Sequence, residues 1–405
     1  MPELTSYLKG ILKNVGILNR LNSLAKCYVQ ERRARTSQYY YGRHARQPLI
    51  KQQLSTDIGI LLDRKLIDRL GKREIGLVGK LHLFVAFSLT NWESIIPLSL
   101  EPYGKVTVFE WSRYGYEDKQ SDWLERRDMM NQEMLTAFLT ANEDQKIDAV
   151  IGYLSGHNTS AETLNKMAAT GAVIFNFCWD DKLNFPGKLL GGRYTSPASI
   201  ANSVDLNLTN APDSIIKYAA HGGLAMFWPE AAHPGVHRPY EQDFEFDVSF
   251  VGASYGWRPR FMANLKKLGI NVECFGNGWP NGPLSQEEMI RVYSKSRINL
   301  GFAGVGFSRN LMCLKGRDFE IPMSGGLYLT QNNPELSLVY KVGEEILTYK
   351  NEDDCATLIK MVLKNPAWAE SMRIFGRERT LRDHTYEARW KEIFELSKQA
   401  MRNPD

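Results

Sequence analysis

The residues best equipped for chemistry lie in the stretch 315–330, KGRDFEIPMSGGLYLT. Lys315 and Arg317 are two cations one residue apart, and Glu320 follows in an apolar frame of Phe319 and Ile321. A carboxylate accepts two hydrogen bonds from a vicinal diol such as that of a ribose, and closely spaced cations suit a diphosphate. Pro322, Ser324, Gly325 and Gly326 break the helix, and residues 327–330 read as a short buried strand. Helix, glycine turn and strand in that order put the carboxylate at the mouth of an α/β sheet, where ligands of such sheets bind. For an isolated KxRxxE, an Arg–Glu pair on a solvated helix face explains the same residues.

Further groups precede it. In FVGASYGWRPR, Gly252 ends a strand and Arg258 and Arg260 open a helix, an arrangement that offers backbone N–H groups and a cation to an anion. FGNGW, residues 275–279, carries Gly276 and Gly278 beside Trp279. Such a loop lets backbone approach a planar base while the ring covers it; a plain loop with Trp279 in the core is the alternative. Arg309 sits in Ser308-Arg309-Asn310, just after the glycine-rich GFAGVGF. In the first half, His157 and Asn158 stand at the end of the strand IDAVIGYL. A histidine there exchanges protons near neutral pH, or merely caps the next helix. Asp180 and Asp181 follow NFCW, as a general base for a hydroxyl or as a helix cap beside a solvated neighbour.

FVGASYGWRPR, GINVECFGNGW, KGRDFEIPMSGGLYLT and the late RDHTYEARW, in that order, resemble the donor half of GT-B glycosyltransferases, and most closely the CgeB-like (spore maturation protein-like) group 1 type. The resemblance covers about the last 160 residues of the chain and is looser upstream. It implies an α/β GT-B fold, two doubly wound Rossmann-like domains facing a central cleft. It implies transfer of a sugar from a nucleotide-diphosphate sugar to an acceptor hydroxyl on a glycan, a lipid-linked carrier or a small molecule. Glu320 would hold the ribose hydroxyls, with Gly252, Arg258, Gly278, Arg309, Lys315 and Arg317 completing the donor site. His157, with Asp180 or Asp181, would serve the reacting sugar and the acceptor. Many retaining members carry a second Glu eight residues before the first; here that position is Met312, so stereochemistry is not assigned. The same departure admits a catalytically inactive nucleotide-sugar-binding protein, and the architecture also admits a nucleotide-sugar epimerase or phosphorylase. No DxD-like acidic loop is evident, so metal-independent diphosphate binding with no required cofactor is expected. His233 and His237 are four apart, but Pro234, Gly235 and Pro239 forbid the helix that would turn both toward one metal.

The elements that position these groups follow from periodicity. Residues 1–50 form a basic amphipathic extension, with Leu8, Ile11, Leu12, Val15, Leu18, Leu21 and Leu24 at helical spacing. It packs on the protein's own core or makes a peripheral contact with an anionic membrane. Residues 57–63 and 74–78 read as strand or turn. From His82 onward strands and helices alternate as parallel-sheet β-α-β units, giving an N-terminal acceptor domain over 51–236. Residues 237–385 form the donor domain, and 386–405 a last helix that in the resembling family returns toward the first domain. Ser285 with Glu288 three residues on is a capping box, and Thr385 caps the last helix. With 405 residues the chain is long enough for two cores. A net charge of +4 argues against nucleic acid as a partner. Five scattered cysteines without CxxC fit a reducing compartment, and no apolar run is long enough to span a bilayer, so a cytoplasmic location is expected.

Overall fold

The computed structural model describes residues 2–71, 79–87, 95–118 and 120–399, with side chains described over 21–397. Contacts divide the chain into two compact units. One comprises Tyr40–Arg238, Leu314–Met323 and Glu378–Asp405; the other comprises Met1–Tyr39, Pro239–Cys313 and Ser324–Arg377.

The chain opens with the helices α1 (Pro2–His44), α2 (Pro48–Ser55) and α3 (Ile58–Leu70). The strand or turn expected over 57–63 is therefore a helix. Asp57 caps α3 by accepting from the Gly59 and Ile60 N–H groups, and Leu62 and Leu66, one turn apart, are its buried face. Within so short an apolar run, alternation and helical period are hard to tell apart, and the pattern that decides lies beyond residue 63. The stretch 74–78 falls outside the described residues.

The first sheet follows: β1 (Leu81–Phe87), α4 (Ile95–Leu100), β2 (Gly104–Glu110), α5 (Trp123–Asp144), β3 (Ala149–Gly152), α6 (Ala161–Ala169), β4 (Val173–Cys178) and α7 (Asp181–Asn184). A small hairpin, β5 (Leu189–Leu190) and β6 (Arg193–Tyr194), precedes β7 (Leu206–Thr209), α8 (Ile215–Ala220) and β8 (Ala225–Phe227). The order β2-β1-β3-β4-β7-β8, with every pairing parallel, is doubly wound. Its inner strands β1 and β4 are buried along their whole length, as strands covered by helices on both faces are.

The second sheet is built from β9 (Phe246–Val251), α9 (Arg258–Lys267), β10 (Glu273–Phe275), α10 (Gln286–Lys295), β11 (Ser296–Leu300), α11 (Arg317–Met323), β12 (Tyr328–Gln331) and β13 (Leu347–Tyr349). The helices α12 (Glu352–Lys364), α13 (Pro366–Asp383) and α14 (Tyr386–Gln399) end the chain. The strand order β10-β9-β11-β12-β13 is all parallel, with the topological switch between β9 and β11. The Ser285–Glu288 capping box opens α10.

Two helices far along the chain belong to the first-sheet unit. In α14, Tyr386, Trp390, Ile393 and Phe394 are buried in the same core as Leu62, Leu83 and Phe175. Trp390 Nε1 donates to Ser99 Oγ at 2.8 Å. Thr385 Oγ1 accepts from the Ala388 N–H at 3.0 Å, the cap that starts α14. The segment of α11 joins the same unit: Asn210 Nδ2 donates to the Leu314 carbonyl at 3.1 Å, and the Phe319 ring meets His384 edge-on with centroids 5.3 Å apart.

Candidate active site

Lys315, Arg317 and Glu320 come together at the start of α11. The Lys315 N–H donates to Asp318 Oδ2 at 2.8 Å, and Asp318 is buried, so its carboxylate locks the first turn. The Glu320 N–H donates to the Gly316 carbonyl at 2.8 Å. The Glu320 side chain folds back so that a β-carbon at position 316 would lie 2.8 Å from its Oε1, and glycine there leaves room for the carboxylate. Protein surrounds this carboxyl although part of it stays accessible. Burial pushes its pKa up to about 7, the Arg317 guanidinium opposes, and Asp318 adds to the rise.

A second carboxylate, which sequence reasoning missed, lies in the same unit. Glu230 is buried, and Asn210 Nδ2 donates to both of its oxygens at 3.4 and 3.2 Å. Burial pushes the Glu230 pKa up to about 8, against the Asn210 hydrogen bond and the Lys315 charge. The Tyr386 phenol is raised by burial and by both Glu230 and Glu320. Asn210 thus ties Glu230 to the residue that leads into the Lys315–Glu320 turn. The available signal was an acid set in the apolar run WPEAA, just before a proline- and histidine-rich continuation. In that continuation the His233 N–H donates to His237 Nδ1 at 3.1 Å, and the His237 N–H to the His233 carbonyl at 2.7 Å. Among the described residues no cluster of three or more His, Cys, Asp or Glu could hold a metal.

The remaining first-half candidates lie at the C-terminal ends of adjacent strands. His157 follows β3; its carbonyl accepts from Trp123 Nε1 at 2.9 Å, and its Nε2 lies 3.9 Å from Asp118 Oδ2. The two aspartates after β4 occupy different environments. Asp180 is exposed and accepts from the Tyr153 hydroxyl at 2.8 Å. Asp181 is wholly buried, accepting from Thr209 Oγ1 at 3.0 Å and the Tyr218 hydroxyl at 2.8 Å, while the Lys217 ammonium donates to its backbone carbonyl at 3.2 Å. Burial lifts the Asp181 pKa to about 6 despite these donors. Both Asp181 oxygens are engaged in holding β7 and α8, so the adjacent carboxylates do not form a working pair.

In the other unit, Gly252, Arg258, Gly278 and Arg309 cluster around the switch between β9 and β11. The Trp279 Nε1 donates to the Gly252 carbonyl at 2.8 Å, which pins the half-buried ring to the end of β9. The Ser254 N–H donates to the Asn277 carbonyl at 2.8 Å, which draws the Gly278 loop against the strand end. Arg258 is buried. Its Nη1 donates to the Ala253 carbonyl at 3.0 Å, and its guanidinium lies 4.2 Å from the Tyr255 ring centroid. Arg309 is more open: its guanidinium lies 4.5 Å from the Trp257 ring centroid and pairs with Glu352 at 3.3 Å.

Helix α1 closes over the Arg309 loop, which the sequence did not reveal. Gln30 Oε1 accepts from the Phe307 N–H at 2.8 Å. Glu31 Oε1 accepts from Ser308 Oγ at 2.7 Å and Asn310 Nδ2 at 3.1 Å, and the Ser308 bond does most to hold the Glu31 pKa below its ordinary value. Gly306 has φ +58°, a conformation that favours glycine, and the Gln30 amide packs against it, 2.6 Å from where a β-carbon would lie. Cys27, Glu31, Trp257, Arg260, Phe307 and Arg309 are among the residues lining a cavity of about 510 Å³ beneath the helix.

Residues 258–395 match a family described as glycosyl transferase-like. Sucrose-phosphate synthase from Thermosynechococcus elongatus superposes with a TM-score of 0.53 at 11% identity, over 78% of this chain and 98% of that one. Anabaena Alr3699/HepE, in complex with UDP and glucose, gives 0.52 at 8% identity, over 78% and 99%. A glycosyltransferase from Rickettsia africae gives 0.53 at 9% identity, over 80% and 99%. No curated protein matches the sequence. The fold is therefore GT-B, two Rossmann-like α/β domains each built on a parallel sheet.

Proposed function

We propose that this chain is a glycosyltransferase that moves a sugar from a nucleotide-diphosphate donor to an acceptor hydroxyl. The observation that carries the reading is Glu320, held over Gly316 at the head of α11 inside the glycosyl transferase-like segment. Its carboxylate is the group for the ribose diol, and Lys315 and Arg317 supply charge for the diphosphate. Arg309, Gly252 and Gly278 are proposed to complete donor recognition. Arg258, bonded to the Ala253 carbonyl and set against the Tyr255 ring, is proposed to act through the shape of the β9–α9 turn as well as through its charge. Glu230 and Asn210 are positioning residues for the turn that leads into α11.

In the reaction the acceptor oxygen forms a bond to the anomeric carbon while the bond from that carbon to the diphosphate oxygen breaks. The acceptor proton passes to a base, for which Asp180 or His157 is proposed, and the cations stabilise the departing diphosphate. The acceptor is proposed to be a glycan or lipid-linked hydroxyl, and membership of the CgeB-like group is the finer assignment within the fold. Among the described residues no helix is long and apolar enough to cross a membrane. Peripheral attachment through the exposed face of α1 stays a proposal beside its packing on the Arg309 loop. Neither metal nor cofactor is assigned a step.

The test is a thermal-shift panel of nucleoside diphosphates and nucleotide sugars on the wild type and Glu320→Ala. Uridine is the first base to try, since Anabaena HepE was solved with UDP. A rise in melting temperature with one base that is lost in Glu320→Ala supports the reading. No shift with any nucleotide sinks it.

A further inference from the structure

The first-sheet unit contains a second pocket of about 350 Å³, walled by α5, the start of α6 and the β5–β6 hairpin. Its notable lining groups are two guanidinium ions. Arg127 is buried to 3% exposure, and its Nε has no hydrogen-bond partner among the described residues. Its Nη1 reaches the Gly156 carbonyl only at 3.5 Å. Arg193, from the hairpin, also has a buried Nε with no hydrogen-bond partner among the described residues. The hairpin approaches closely: a β-carbon at Gly191 would lie 3.0 Å from the Arg127 guanidinium. One carboxylate serves both cations. Asp128 Oδ1 lies 3.6 Å from Arg127 Nε and 2.9 Å from Arg193 Nη2, and two-thirds of its side chain faces solvent. At the rim Lys166 is paired with Glu162 at 2.7 Å. The first turn of α6, capped by Ser160, adds the positive end of a helix.

A buried guanidinium and a partly buried one that share one exposed carboxylate are undercompensated. Charged donors without acceptors are costly to bury, and each guanidinium presents a planar fork that matches oxyanions. The mutual repulsion is visible in Arg193, whose pKa is lowered first by burial and then by Arg127. We propose that Arg127 and Arg193 bind a phosphoryl group. Arg127 also points to the Gly156 carbonyl, one residue before His157, so the site adjoins the loop at the C-terminal end of β3. The bound group is accordingly assigned to a phosphorylated acceptor; that part rests on the glycosyl-transfer reading, whereas the anion site itself does not.

The experiment is calorimetric titration of the full chain with inorganic phosphate and with methyl phosphate, using wild type, Arg193→Gln and Asp128→Asn. Both substitutions fall on partly exposed side chains, and melting temperatures establish that the variants are folded. Arg193→Gln is expected to weaken both ligands at least tenfold, and Asp128→Asn to tighten them several-fold by removing the competing carboxylate. Tighter binding of the ester assigns the site to an acceptor-borne phosphate; equal affinities assign it to free phosphate. Wild-type affinities in both variants, or no binding to the wild type, overturn the proposal. If phosphate binding depends on Arg193 while no nucleotide shifts the melting temperature, the phosphoryl site stands and the glycosyl-transfer reading fails.

Discussion

At the scale of single residues, the informative groups are carboxyls held near neutrality. The Glu320 pKa of about 7 lies above the ordinary 4.5, chiefly through burial. The folded chain therefore binds more protons than the unfolded one between those values, and Glu320 makes stability fall as pH rises through that window. Glu230 extends the same trend up to about pH 8. Donor binding has the opposite sign. A ribose diol donates to the ionised carboxylate, so affinity for a nucleotide sugar should rise as pH rises through about 7. Below that pH it should fall by up to about tenfold per unit. The nucleotide sugar is the right probe because its diphosphate diester does not titrate in this range. Calorimetric affinities between pH 5.5 and 8.5 test this, with a flat profile expected for Glu320→Gln. A flat wild-type profile would remove Glu320 from ribose binding.

At the scale of elements, α1 acts as a brace on the loop that carries Arg309. Gln30 and Glu31 supply three hydrogen bonds to residues 307–310. Losing the Glu31 pair should loosen the loop at a cost of about 1 kcal/mol. Glu31→Ala is expected to raise the donor KM about threefold to tenfold while kcat and the acceptor KM change little. A donor KM that stays at the wild-type value would make the brace irrelevant to donor binding. The helix and the loop are separated by more than 270 positions, so no local pattern announces the contact. Its only local trace is a glycine at 306, in a run where three glycines already had a reading as a loop.

At the scale of the molecule, the chain closes the core of its first-sheet unit with a segment remote in sequence. The first-sheet core is completed by α14, whose Trp390 is fully buried and donates to Ser99 Oγ. Trp390→Ala should cost about 3–5 kcal/mol through the lost transfer energy and the cavity left behind. The expected sign is an early loss of near-ultraviolet circular dichroism on heating. A melting curve superimposable on the wild type would show that α14 is not part of this cooperative unit.

The sequence by itself determined the alternation of strands and helices, the parallel sheets, the capping of α10 and α14 and the order of the donor-half motifs. All of these are local: period-2 and period-3.6 patterns, caps and glycine turns act over a few residues. Only the tertiary structure decided which of two adjacent aspartates keeps an exposed carboxylate. Asp180 and Asp181 look alike as a dipeptide, yet the distant Thr209 and Tyr218 consume both oxygens of Asp181. Glu230 is a buried acid bonded to Asn210, and α1 is tied to the Arg309 loop by Gln30 and Glu31. These outcomes depend on burial and on partners separated by tens to hundreds of positions. Desolvation and pairing set the protonation state of a carboxyl, and neither is encoded in its immediate sequence.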